Sequence, residues 1–122
     1  MDLWRETAEF ALSEDAGRLN AEQKAWIAAE PSNAKPYYHL AALLRSSGDR
    51  ARALGLLLEA VRLDGSLAPA HAALAEMYAV AGDPAAAWRH AIAARDHGDD
   101  SAALLLERHR VPVTMTEREL PG

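Results

Sequence analysis

The chain has 122 residues, 50% of them hydrophobic and 25% charged, the makeup of one soluble globular domain with a modest core. A formal charge of −5 argues against nucleic acid as a partner, because phosphate backbones call for a basic face. The absence of cysteine removes disulfides, thiolate catalysis and cysteine-held metal.

The amino terminus, Met1 to Glu6, lacks the basic start and apolar run of a signal peptide, and no apolar stretch approaches the roughly 20 residues of a spanning helix. A cytoplasmic protein with no membrane insertion is expected. Aromatic residues are only 6% and alanine is heavily used, which favours closely packed helices over strands.

In chain order, residues 2–13 read as a first helix, with Leu3, Trp4, Ala8, Ala11 and Leu12 able to share one stripe. After a turn at residues 14–17 a second helix runs to about Glu30, where Pro31 stops it. Asn33 or Ser32 caps a third helix over about 34–47, with Pro36 in its first turn, where a missing N–H costs little. Gly48 ends it. Asp49 caps a fourth helix that runs to about Asp64 and closes at Gly65. A fifth helix carries Pro69 in its first turn and ends at Gly82. Asp83 and Pro84 then open a sixth, which stops at Gly98. Asp99, Asp100 or Ser101 caps a short seventh helix to about Arg110. Residues 111–122 lack a helical period and read as an extended tail.

Two stretches repeat each other at a spacing of 34 residues. Laying 34–67 over 68–101 matches Leu40 with Leu74, Ala41 with Ala75, Gly48-Asp49 with Gly82-Asp83, Ala53 with Ala87 and Ala60 with Ala94. A fixed period in this range marks a stack of helical hairpins, whose small residues fall where helix axes come within 8–10 Å. Stacks of this kind build a curved binding surface rather than a reaction centre.

These residues resemble the tetratricopeptide repeat family. Tyr37, Leu40, Ala41 and Leu44 fit the pattern of its first helix, and His71, Leu74, Ala75 and Tyr78 fit it again. Ala53, Leu57 and Ala60 fit the second helix, and Ala87, Ala91 and Ala94 do so with a small residue where a large one is usual. The resemblance implies an all-α, right-handed superhelix over residues 1–110: a degenerate pair at 1–33, repeats at 34–67 and 68–101, and a capping helix at 101–110. In the degenerate pair Trp26 stands where the family has alanine, which would hold those two helices apart.

The same resemblance implies a concave groove, lined by the first helix of each pair, that holds a protein or peptide. Carried over by register, its lining is Lys35, Tyr38, His39, Ala42 and Arg45 from one unit and Ala72, Ala73, Glu76 and Ala79 from the next. Lys35, Tyr38, His39 and Arg45 would together grip an acidic group, with Tyr38 as a flat anchor. The family's grip on chaperone-tail carboxylates needs a lysine and asparagines, where this chain has Tyr38, Ala42 and Ala73, so that partner is disfavoured. The implied function is a non-catalytic adaptor or assembly factor.

A second reading is self-association, with a homodimer as its simplest form. Leu54, Leu56, Leu57 and Leu58 exceed what one helix needs to bury, which leaves Leu56 or Leu58 near the outer face. Val111, Val113 and Met115 alternate along the tail as a docked strand would.

No catalytic constellation is evident, and no cofactor or metal is expected. His39, His71, His90, His97 and His109 form no helical metal-binding spacing, and the glycines are helix stops rather than a phosphate loop. His71 occupies a packing position and reads as a partly buried core residue. His97 sits where a cation favours a helix carboxyl end.

Overall fold

The computed structural model describes residues 21–113. The predicted first helix, the turn after it and the tail from Thr114 onward, including Met115, lie outside the described residues. Within them the fold is all-helical, with no strand. A helix is described over residues 21–29 (α1), followed by α2 (Ala34–Ser46), α3 (Arg50–Leu63), α4 (Ala68–Val80), α5 (Pro84–Asp96) and α6 (Ser101–Arg108).

One turn chemistry ends α2, α4 and α5. Gly48, Gly82 and Gly98 adopt φ of 88°, 82° and 99°, the left-handed region where a side chain would be strained. The N–H of the next residue then reaches back to the last turn, from Asp49 to Leu44 O, Asp83 to Tyr78 O and Asp99 to Ala94 O, each at 2.8–2.9 Å. Orphan carbonyls are thereby satisfied within three residues of chain, and α2 folds onto α3 and α4 onto α5. Asp49 and Asp83 each stop one helix and cap the next, accepting from Arg52 N and Ala86 N.

Gly65, which follows the end of α3 as expected, differs from these three in not being left-handed. The α3–α4 turn is closed instead by Asp64, whose Oδ1 accepts from Ser66 N at 3.0 Å and from Ser66 Oγ at 2.6 Å. Asp99 makes the same arrangement with Ser101 ahead of α6. At the start of α2, Asn33 is the cap, accepting from Lys35 N at 3.0 Å.

The apolar residues matched by the repeat are buried. Ala41 and Ala75, Ala53 and Ala87, and Ala60 and Ala94 are all at 0% exposure. Two apolar clusters result. One joins α2, α3 and α4 through Ala41, Ala53, Leu57, Ala60, Ala73 and Leu74. The other joins α4, α5 and α6 through Ala72, Ala75, Trp88, Ala91, Ala103 and Leu106. Helix α4 belongs to both and is buried almost all round in its first half, at Ala68 and from Ala70 to Ala75.

Candidate functional site

The register carried over from the repeat places nine residues on one groove, and the structure divides them. Ala42, Arg45, Glu76 and Ala79 line a cleft of ≈ 1090 Å³ between the carboxyl-terminal halves of α2 and α4. Its other walls are the start of α3, with Arg50 and Leu54, and the end of α6, with Leu105 and His109. Arg45 Nη2 donates to Glu76 Oε2 at 3.3 Å, a half-exposed ion pair that ties the two first helices together. Met77, Tyr78 and Val80 add apolar wall, and Val80 is 69% exposed.

The other five do not join them. Ala72 and Ala73 are both at 8% exposure and belong to the core, one on each side of α4. They were expected as a bare groove floor. The physical reason for the correction is that α6 and the α2–α3 hairpin cover α4 from both sides. Lys35 lies in the first turn of α2, ten residues before Arg45 and roughly 15 Å away along the helix. The expected acid grip of Lys35, Tyr38, His39 and Arg45 therefore does not converge. His39 is instead a platform for α1: its ring lies 6.1 Å from that of Trp26 at 18°, with Tyr38 edge-on at 5.3 Å.

The self-association candidates also separate. Leu56 packs against the α2–α3–α4 cluster rather than facing outward, while Leu58 remains 39% exposed. Val111 is held on its own chain, with Trp88 Nε1 donating to Val111 O at 3.1 Å. Val113 is 55% exposed and lines a shallower cleft of ≈ 600 Å³ with Trp88, Ile92 and Arg95.

One cluster escaped the sequence reading. His71, buried at 8%, and His90 place their Nδ1 atoms 3.0 Å apart. His71 Nε2 meets Gly65 O at 2.9 Å. A carbonyl only accepts, so His71 donates there, and in a neutral His71 the Nδ1 is an acceptor. His90 must then carry its proton on Nδ1 and donate it to His71. Ring centres 5.3 Å apart against nitrogens 3.0 Å apart show the two rings meeting edge to edge. The other neighbour of His90 is Tyr78, whose ring lies parallel within 6° at 5.6 Å. Burial, first, and then the charges of His71 and Arg89 push His90 down to about 4. A spacing of 19 residues on two different helices gave no motif by which this pair was visible.

Among the described residues no group of three or more His, Asp or Glu is placed to hold a metal ion, and no helix is long and apolar enough to cross a membrane. No protein-family model, curated protein or solved structure matches this chain.

Proposed function

We propose that this chain is a tetratricopeptide-like repeat module that binds a segment of another protein without catalysing a reaction, as an adaptor or assembly factor. The reading takes the two hairpins as successive turns of a right-handed superhelix. What supports it is the ≈ 1090 Å³ cleft bounded by equivalent helices of the two hairpins and held by Arg45 and Glu76. Its apolar walls, Leu54, Met77 and Val80, suit two or three buried side chains of a guest. Arg50 and His109 at its edges suit an acidic group beside them.

Selection of peptides from a display library against the full chain tests this. Peptides that use the groove carry apolar anchors flanked by Asp or Glu, and Ala79→Trp, which fills the cleft, weakens them by about tenfold or more. Selected peptides that bind Ala79→Trp as tightly as the natural protein would rule the groove out. Self-association is favoured by one observation, the exposure of Leu58, Val80, Leu104 and Val113 on one small domain. Light scattering on dilution separates the two readings, because a dimer that persists at low concentration speaks for the second.

A further inference from the structure

The His71–His90 pair is a poor place for charge and a well-formed place for one shared proton. With both rings neutral, the chain Gly65 O, His71, His90 is fully satisfied and joins the α3–α4 turn to α4 and α5. One added proton, taken on the free Nε2 of His90, still leaves a single N–H between the two Nδ1 atoms. A second added proton sets N–H against N–H at 3.0 Å, and the rings must part. The contact left to a charged His90 is the face of Tyr78, which attracts a cation. Tyr78 also lines the cleft, so displacement of His90 reaches the groove through one ring.

The groups facing the pair do not cancel the added charge. Asp64 at the end of α3 offers a carboxylate, held low first by its hydrogen bonds to Ser66 and then by the charges of His97 and His71. Arg89 on α5 opposes it. Tyr78 on α4 presents the face of its ring. Helix α6 meets the α4–α5 hairpin through Ala102, Ala103 and Leu106, which carry no charge.

We propose that the His71–His90 pair is a proton-operated gate on the cleft, acting through Tyr78, so that the protein holds its guest at neutral pH and releases it on acidification. This rests on the groove reading above. The sign follows from His90, whose value of about 4 lies below the ordinary 6.5. Parting the rings relieves His90 of the burial and the His71 charge that hold it low, so the second proton is taken up more readily there, and a fall in pH from 6.5 toward 4 favours that arrangement.

Nitrogen NMR of the labelled full chain near pH 7.5 fixes the starting state. Protons on His71 Nε2 and His90 Nδ1 are expected, and the opposite tautomers would overturn the gate. The Tyr78 ring signals are then followed down to about pH 4.5 in the natural protein and in His90→Gln, whose amide does not titrate. Tyr78 is expected to share the midpoint of the histidines in the natural protein and to stay flat in the variant. A flat Tyr78 in the natural protein, or the same titration in both, sinks the proposal. Should His90→Gln not fold, coincidence of the His71, His90 and Tyr78 midpoints in the natural protein decides.

A peptide selected on the groove weakens by up to about tenfold per pH unit in the natural protein and stays level in His90→Gln. Equal pH dependence in both overturns the gate. If no peptide is selected at any pH, the groove reading falls, and the Tyr78 titration still judges the histidine pair by itself.

Discussion

The hairpins α2–α3 and α4–α5 solve one packing problem with different side chains. Where α3 presents Leu54 and Leu57 to its core, α5 presents Trp88 and Ala91 at the equivalent positions. Two medium residues are exchanged for a large one and a small one, and both cores close with the flanking alanines at 0% exposure. The difference lies in what each core must also reach. Trp88 spans beyond its own hairpin to bind the backbone of Val111, whereas Leu54 and Leu57 of α3 pack into the α2–α3–α4 layer. A repeat thus keeps its crossing alanines and varies the residues beside them to suit the next layer.

Truncation of a leucine breaks the comparison most severely. Leu57→Ala gives α3 the alanine of α5 without the tryptophan that accompanies it, at a site 1% exposed. We expect a loss of about 2–5 kcal/mol, read as a lower urea midpoint with unchanged slope. A loss below about 1 kcal/mol would mean that Leu54 collapses into the space and that the two positions are not coupled.

The converse change sharpens it. Ala91→Leu adds three carbons at 0% exposure beside Trp88 and should cost about 1–3 kcal/mol by crowding. Combined with Trp88→Leu, which restores the side-chain pair of α3, the crowding is relieved. The double variant should therefore be more stable than the sum of the single effects predicts, by about 0.5 kcal/mol or more. Additive losses would show that the exchange of volumes is not the reason for the pairing.

These contrasts also explain what could be read from the sequence. Caps and stops are local chemistry, so α2 to α6 fall within a residue or two of their expected limits, and Asn33, Asp49 and Asp83 cap as their residue types require. Gly65 stands just past the end of α3 as expected, but whether a left-handed glycine or an aspartate turn closes that end is distinguished only by the backbone. Ala72 and Ala73 failed for a non-local reason. Register on one helix tells which residues share a face, but a third neighbour such as α6 decides whether that face stays open. The His71–His90 contact lies further still from local pattern, since it depends on the relative rotation of α4 and α5.

Arg110 offers the finest comparison, between three helix stops and a fourth. Gly48, Gly82 and Gly98 take the left-handed conformation without strain, whereas Arg110 takes it at φ 53° with a full side chain. Its turn is otherwise the same: Arg110 N bonds Glu107 O at 3.0 Å, and Val111 N reaches Leu106 O at 2.9 Å. Replacing Arg110 by glycine removes a left-handed penalty of about 1–2 kcal/mol. It adds about 0.5–1 kcal/mol of chain entropy lost on folding. Arg110→Gly should therefore stabilise the protein by up to about 1 kcal/mol, and Gly48→Ala should destabilise it by a similar amount, since no atom lies within 4 Å of the added carbon and only the backbone objects. A loss of stability in Arg110→Gly would mean that the arginine side chain holds the start of the tail against Trp88, and that the fourth stop is not equivalent to the other three.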